Sequence, residues 1–303
     1  GDAATSRRCE GAEVTDRQRC RKLSYLVRYD LAMGFASNRA RLVLALVCLA
    51  ALAAMFLSAL DAAARYVEAM GAGGTASGFG PFDVLAYFFA GSDYYRIDDK
   101  TPFVLPIAWM MQQILVAVLV GSYAIRDLSG QAPQVLMRVG GRREWWLSKC
   151  LWAVATVLAF YALEAAVAVV AAVAFGGASP MGDAVSIAVL GFPLSAFDGG
   201  ELALSLLLPV ALSLSLALAQ VALSLVAGPF MSFVAIMSFL AVSVYFGSPF
   251  LIGDCSMLAR SGFVQPGGVD AAPTLAACAL VCAASVAFGA YAFSRKDLTG
   301  RVD

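Results

Sequence analysis

LALSLLLPVALSLSLALAQVALSLVAGPFMSFVAIMSFLAVSVYFG, the stretch from residue 202 to residue 247, contains no charged side chain. A transmembrane α-helix needs about 20 apolar residues to cross a hydrocarbon core of about 30 Å. The stretch is long enough for two crossings, Leu202–Ala227 and Phe230–Gly247, because Gly228 and Pro229 leave room for only a tight turn between them. Since lipid cannot satisfy free backbone N–H and C=O groups, both segments are predicted to be helices.

Four further apolar stretches have a similar length, and none alternates apolar and polar residues as a barrel strand does. They are Leu42–Leu60, Phe103–Ile125, Leu151–Phe175 and Leu275–Phe293. Hydrophobic residues make up 61% of the chain and charged residues 14%, whereas a typical soluble domain has about 25% charged residues. The sequence therefore predicts an all-α, polytopic membrane protein whose six transmembrane helices share one domain over residues 23–298.

Basic residues are concentrated in alternate loops. Nine of the 21 Lys and Arg residues precede the first predicted span, five lie between the second and third, and three follow the sixth. Basic loops remain in the cytoplasm, so both termini and the Arg126–Lys149 loop are predicted to be cytoplasmic. The Arg-rich composition, with abundant Ala, Gly and Val, is typical of GC-rich bacterial genomes, and we expect a multi-pass protein of the bacterial cytoplasmic membrane.

The N-terminal region divides into two parts. Residues 1–22 are polar and lack apolar periodicity, which predicts a disordered cytoplasmic tail. Leu23, Val27, Leu31 and Phe35 then recur at every fourth position, as on one stripe of a helix. This pattern predicts a helix over residues 23–40 that lies in the inner membrane interface. A solvated helix packed on a partner protein is the alternative.

Two apolar runs outside the spans are too short to cross a membrane. Phe82–Ala90 lies in the long exterior connection Asp61–Pro102 and predicts an interfacial helix. Ala184–Ala196 is interrupted by Gly191 and Pro193, and we expect it to cap the bundle or dip into the outer leaflet.

The cytoplasmic loop IRDLSGQAPQVLMRVGGRREWWLSK, residues 125–149, holds a second amphipathic pattern. Pro133 suits the first turn of a helix and Gly140-Gly141 its end, which predicts a short helix within about residues 130–141. Its exposed apolar side chains indicate a docking surface formed by Gln134, Val135, Leu136, Met137, Arg138 and Val139. Cationic and indole side chains favour the membrane interface, so we expect anchors at Arg142, Arg143, Trp145, Trp146 and Lys149.

These features together resemble the membrane subunits of ABC type-2 transporters. The resemblance covers about residues 23–298 and is carried by the layout, by GGRREWWLSK at residues 140–149, by PFLIGDCSMLAR at 249–260 and by FSRKDL at 293–298. It implies that residues Gln134 to Val139 form a coupling helix in a groove of a separate ABC ATPase subunit. It also implies a second permease subunit, either an identical copy or a similar paralogue.

The chain itself contains no G-x-x-x-x-G-K-[ST] segment, so any ATP hydrolysis is expected from the partner. It contains no histidine and no zinc-type cysteine spacing. We therefore expect no catalytic residue, metal site or cofactor, and the expected partners include membrane lipids but no nucleic acid. The resemblance implies an exporter that moves an amphiphilic substrate, such as a lipid-like molecule, a peptide or a drug, outward.

Polar residues within the predicted spans are candidates for the substrate path. Glu164 lies about two-thirds of the way across the third span, where an ionised carboxylate costs about 2.5–3.5 kcal/mol on insertion scales. Gln112, Ser213 and Gln220 are the other candidates. The alternative for all four is structural, with side chains that hydrogen-bond neighbouring helices. A different class of function also stays open, namely a non-transporting immunity or sensor module that binds an ATPase or kinase.

Overall fold

The computed structural model describes residues 21–71, 78–93, 105–130, 141–176, 180–246, 251–265 and 267–295. Within these ranges the chain is helical apart from turns, and the only β-type pairing is an isolated bridge between Ser261 and Val269. The predicted all-α class is confirmed. The predicted tail and the predicted coupling helix, Gln134 to Val139, lie outside the described residues, whereas residues 21 and 22 already belong to the first helix.

Nine α-helices follow one another along the described chain. They are α1 (residues 21–37), α2 (Arg39–Ala69), α3 (Pro81–Phe89), α4 (Ile107–Val120), α5 (Tyr123–Ser129), α6 (Arg142–Ala171), α7 (Asp183–Leu190), α8 (Gly199–Tyr245) and α9 (Ala271–Arg295). A π-helical turn, Ala172–Gly176, extends α6, and 3-10 turns form at Leu194–Ala196, Asp254–Ser256 and Leu258–Arg260.

In the part of the chain that the structure describes, five helical segments are long and apolar enough to cross a membrane. They are Arg39–Ala69, Ile107–Leu128, Arg142–Gly176, Ala203–Tyr245 and Ala271–Arg295. This finding indicates a multi-pass membrane protein. The sequence predicts six spans, and the difference in number arises in α8, which contains two of the predicted crossings.

Helix α8 has 47 residues, but it is not one straight rod. Gly228 has φ 83° and ψ 166°, a non-helical conformation that glycine adopts readily, and the following Pro229 suits the first turn of a new helix. Leu216 and Leu240 line the same small cavity, although a straight helix would hold them about 36 Å apart at 1.5 Å per residue. The chain therefore reverses at Gly228, and the two halves of α8 lie side by side.

Helices α6 and α8 form the centre of the bundle, because α6 contacts α2, α3, α4, α8 and α9. All four tryptophans are fully buried, and three of them, Trp145, Trp146 and Trp152, lie on α6. Helix α9 buries only 17% of its most apolar stretch and α2 buries 28%, whereas α8 buries 61%. Helices α2 and α9 therefore expose the broadest apolar faces, as expected of helices that contact lipid.

The short helix α3 matches the predicted position of the exterior interfacial helix but packs largely inside the protein. Val84, Phe88 and Phe89 are buried, while Phe82 is exposed. A single oxygen of the buried Asp83, Oδ2, accepts hydrogen bonds from the backbone N–H groups of Gly80 at 2.7 Å and Met181 at 3.1 Å. Burial raises the pKa of this carboxyl, and the two hydrogen bonds oppose the rise.

Candidate functional site

A buried charged group forms where α1, α5 and α6 meet. Lys149 Nζ of α6 lies 2.5 Å from Asp30 Oδ1 of α1 and 2.6 Å from Asp127 Oδ2 of α5. The side chains are 1% exposed for Lys149, 2% for Asp30 and 9% for Asp127. We call these residues the Lys149 cluster, together with Tyr123, Trp145 and Ser148, which bond to the carboxylates.

Neutral side chains complete the coordination of the charges. The hydroxyls of Tyr123 (3.0 Å) and Ser148 donate to the two oxygens of Asp30, and Trp145 Nε1 donates to Asp127 Oδ2 at 3.3 Å. The ammonium of Lys149 lies 4.7 Å from the ring centre of Tyr123 and 5.0 Å from that of Trp145, within the range of cation–π attraction. Buried charges with this many partners resist separation, because removing one partner strands the others in a low-dielectric interior.

The Lys149 cluster holds both ends of the segment predicted to contain the coupling helix. Asp127 lies just before Gly130 and Trp145 lies just after Gly141, so the two contact points flank residues 131–140 in the sequence. Asp30 adds the N-terminal helix α1 to the same group. The Lys149 cluster therefore joins α1, α5 and α6 at one point.

The predicted membrane anchors are distributed differently from the expectation. Trp145, Trp146 and Lys149 are each 1% exposed, so their side chains contact other parts of the chain rather than its surface. Trp146 Nε1 donates to the carbonyl of Val286 at 2.8 Å, and the ring of Trp145 stacks on Phe293 with centres 4.5 Å apart. Tryptophan occurs both at membrane interfaces and in buried contacts between helices, so its presence in the sequence does not distinguish the two.

Two of the predicted anchors stay on the surface. Arg142 and Arg143 are exposed at the start of α6. Arg142 donates to the backbone carbonyl of Ser294 at 2.8 Å, at the C-terminal end of α9, where helix carbonyls lack partners and attract cations. Arg142 thus joins α6 to α9, while Arg143 keeps the exposure that an interface anchor requires.

A second polar group joins α4, α6 and α8 inside the bundle. Tyr161 OH lies 2.7 Å from Ser213 Oγ and donates to the carbonyl of Pro209 at 3.0 Å. Ser213 Oγ donates to Gln113 Oε1 at 2.9 Å. All three side chains are buried, so the network connects three candidate spans through contacts shielded from solvent.

The predicted path residues Gln112 and Gln220 also make bonds between helices. Gln112 Nε2 donates to the carbonyl of Phe88 at 2.9 Å, and Gln220 Nε2 donates to that of Ala117 at 3.1 Å. Gln220 and Ser213 line a cavity of about 10 Å³, enough for about one water molecule. Three of the four predicted path residues therefore join helices in this conformation, which is the structural alternative that the sequence left open.

Glu164 differs from the other three path residues. Its side chain is 0% exposed, and neither carboxyl oxygen has a hydrogen-bond partner among the described residues. The hydrogen bond between helices that was the structural alternative for Glu164 is therefore not formed with the described residues. A buried carboxylate without partners is costly, so Glu164 is the least compensated of the four path residues in this conformation.

At the C-terminal end of α8, Arg260 fixes the segment that follows this helix to the bundle. Its guanidinium lies 2.6 Å from Asp254 Oδ1 and donates to the carbonyls of Ser243 at 2.9 Å and Val244 at 2.7 Å. Its Nε donates to the carbonyl of Ser92 at 2.8 Å, which adds the segment after α3. These contacts join residues 251–265 to the end of α8 and to the segment after α3.

Sequence reasoning did not single out Asp30 and Asp127 as site residues. One signal was present, since Asp30 is the only acidic residue within the otherwise apolar and basic segment 21–41. An acidic residue on such a basic helix suggests a specific cationic partner. The partner is Lys149 of α6, which is too far away in the sequence to be identified from a local pattern. Among the described residues, no group of three or more acidic or cysteine side chains could hold a metal ion.

Comparisons with known proteins found no match, whether to family models, to curated proteins or to solved structures. The function of the chain therefore has to be inferred from its own residues and from the contacts described above.

Proposed function

We propose that the chain is the permease subunit of an ATP-driven ABC exporter that moves an amphiphilic substrate outward with a separate ATPase. It crosses the membrane six times with both termini in the bacterial cytoplasm. The reversal of α8 at Gly228 supports this topology, because it adds one crossing to the five apolar helices. The distribution of basic residues between alternate loops supports the orientation.

The Lys149 cluster is the observation that carries the proposal. A coupling segment transmits force only if its ends are fixed to the helices that must move. Asp127 and Lys149 fix the two ends of residues 131–140 to each other, and Asp30 fixes α1 to the same point. An ATPase that displaces this segment would move α1, α5 and α6 as one body.

The polar group of Tyr161, Ser213 and Gln113 lies between the helices that this movement would displace. Tyr161 and Glu164 lie one turn apart on α6, and Tyr161 bonds across to Ser213 of α8. A shift of α6 relative to α8 would break the Tyr161–Ser213 bond and give Glu164 access to polar partners. The substrate path then opens beside these residues, and a second permease subunit forms its other half, as an ATPase that closes around two nucleotides requires.

The non-transporting alternative has one observation in its favour. The cavity beside Gln113, Ser213 and Gln220 measures only about 10 Å³, far below the 300–1,000 Å³ of ordinary ligand sites. A membrane sensor or immunity protein that binds an ATPase or kinase would need no larger space. The identity of the cytoplasmic partner distinguishes the two functions.

A crosslinking experiment at the predicted docking surface tests the proposal. A photoreactive amino acid at Leu136 should capture a protein that contains G-x-x-x-x-G-K-[ST], and the purified complex should hydrolyse ATP. The double variant Leu136→Asp, Met137→Asp should reach the membrane at normal levels but lose that partner, because two charges would be buried at an apolar contact. Arg143→Gln, an exposed position at the start of α6 and outside the docking surface, is the control and should retain it.

Other results would contradict the proposal in distinct ways. Capture of a kinase, or of an ATPase whose hydrolysis is unaffected by the permease, would favour the non-transporting module. Full partner binding by the double variant would place the docking surface elsewhere. A double variant that fails to accumulate would make the segment structural.

A further inference from the structure

A groove runs between α1 and the beginning of α6 on the surface of the described chain. Its volume is about 460 Å³, and it is lined by Leu23, Ser24, Val27, Arg28, Leu31 and Leu151. Four of these six side chains are apolar. The volume lies within the range of ordinary ligand sites, which is about 300–1,000 Å³.

Helix α1 packs on the bundle mainly through a row other than its apolar stripe. The buried row is Leu26, Asp30, Gly34 and Asn38, which follow one another at every fourth position. The row from Leu23 that the sequence singled out is only half-buried and forms one wall of the groove. Leu31 of this row also packs against the core, but among the described residues the groove-facing parts of Leu23, Val27 and Leu31 stay open.

Three contacts of the buried row hold α1 rigidly against the bundle. Asp30 pairs with Lys149, and Asn38 Nδ2 donates to the carbonyl of Leu119 at 2.8 Å. Gly34 permits the closest approach, since a Cβ atom there would lie 2.0 Å from Trp152 Nε1. The groove is consequently preformed by fixed walls, and a ligand need not order the helix in order to bind.

The position of the groove points to the membrane boundary. Leu151, on its second wall, is the first residue of the third predicted span and remains 45% exposed. Leu147, one turn earlier on α6, is 41% exposed. An apolar chain that enters the groove beside Leu151 would extend along α6 into the hydrocarbon.

The rim of the groove is basic. Arg28 lines it and is exposed, and Arg21 and Lys22 are exposed on the same helix. The only acidic side chain of α1, Asp30, is buried and already paired with Lys149. Among the described residues, the groove thus combines an apolar floor with basic side chains at its rim.

From this combination we infer that the groove binds an anionic phospholipid. One acyl chain lies along Leu23, Val27, Leu31 and Leu151, and the phosphate group meets the guanidinium of Arg28. Each basic residue near an anionic headgroup strengthens binding about five-fold. The site requires no ATPase and no transport, so it holds or fails independently of the proposed function.

Lipid titration of the purified full chain, followed by native mass spectrometry, tests the inference. Phosphatidylglycerol should bind at least about five-fold more tightly than phosphatidylcholine in its first bound copy. Val27→Trp fills the groove and should abolish that first binding step, and Leu23→Trp repeats the test at a second position. Arg28→Glu should keep an acyl chain but lose the preference for phosphatidylglycerol.

Matched controls carry the same changes outside the groove. Val43 is exposed on α2 and Arg39 is an exposed cation beside α1, so Val43→Trp and Arg39→Glu should leave the first binding step unchanged. Equal affinity for both lipids in the unmodified chain would overturn the inference, as would full binding by both tryptophan variants. Strong binding that emerges only after deletion of residues 1–20 would identify the N-terminal segment as the natural occupant and would also overturn it.

Discussion

Replacement of Lys149 by methionine is the sharpest test of the buried cluster. Methionine preserves most of the side-chain volume but removes the ammonium that lies 2.5 Å from Asp30 and 2.6 Å from Asp127. Asp30 keeps the hydroxyl donors of Tyr123 and Ser148, whereas Asp127 keeps, among the described residues, one donor, Trp145 Nε1 at 3.3 Å. Two carboxylates would thus share a buried site with no cation between them.

The expected magnitude follows from the loss of one partner in a buried ion pair. Such a change costs about 3–5 kcal/mol of unfolding free energy, or about two to four powers of ten in the folding equilibrium. The free energy of unfolding can be measured by denaturant titration in lipid nanodiscs, with tryptophan emission as the signal. Trp145 lies in the cluster itself, so the emission reports directly on its environment.

Two further variants distinguish the effect of the buried charges from a general effect of substitution on α6. Arg143 is an exposed cation at the start of the same helix, and Arg143→Met should change stability by less than about 0.5 kcal/mol. The triple variant Lys149→Met, Asp30→Asn, Asp127→Asn removes all three charges and should recover most of the loss, because neutral groups cost less to bury. If Lys149→Met matched Arg143→Met, Lys149 would face headgroups and the cluster would not exist as described.

Three more outcomes test other parts of the fold. Arg260→Gln should leave Asp254 buried without its cation and should raise hydrogen exchange over residues 251–265, whereas unchanged protection there would refute the contact described for Arg260. Burial raises the pKa of Asp83, so its contribution to stability is present below the ordinary aspartate pKa and is lost as pH rises through the raised value. Asp83→Asn should remove this dependence of the melting temperature on acidic pH while keeping both backbone hydrogen bonds. If the melting temperature of the variant changed with pH as that of the unmodified protein does, the assignment would be contradicted. A cysteine at Gln265 should react with an impermeant thiol reagent on intact cells and one at Ser129 should not, and the reverse pattern would invert the proposed orientation.

Hydropathy and turn residues were sufficient to predict the helices and their order. The reversal at Gly228-Pro229 could be read from the sequence because a glycine before a proline interrupts an uncharged run that is about twice the length of one crossing. The short helices at Pro81–Phe89 and Asp183–Leu190 were likewise visible as apolar runs too brief to span. Each of these features depends on residues that are neighbours in the chain.

The partners of the polar residues could not be predicted in the same way. The apolar stripe of α1 indicated an amphipathic helix. The face that packs on α6, however, contains Asp30 and Gly34, because Asp30 pairs with Lys149 and Gly34 lies against the ring of Trp152. Asp30 and Lys149 are 119 positions apart, and no local pattern records such a contact. For the same reason the tryptophans at the start of α6 were assigned to lipid, although Val286 and Phe293 of α9 cover them.

The sequence by itself determined the class, the helical segments and the distribution of charge, because hydrophobic length and periodicity act within one helix. Only the tertiary structure decided which charges are buried together, which glutamines join helices and that Glu164 has no hydrogen-bond partner among the described residues. The physical reason is that the energy of a buried polar group depends on the groups that surround it in space. Those groups come from other helices, and their arrangement is fixed only when the whole bundle packs.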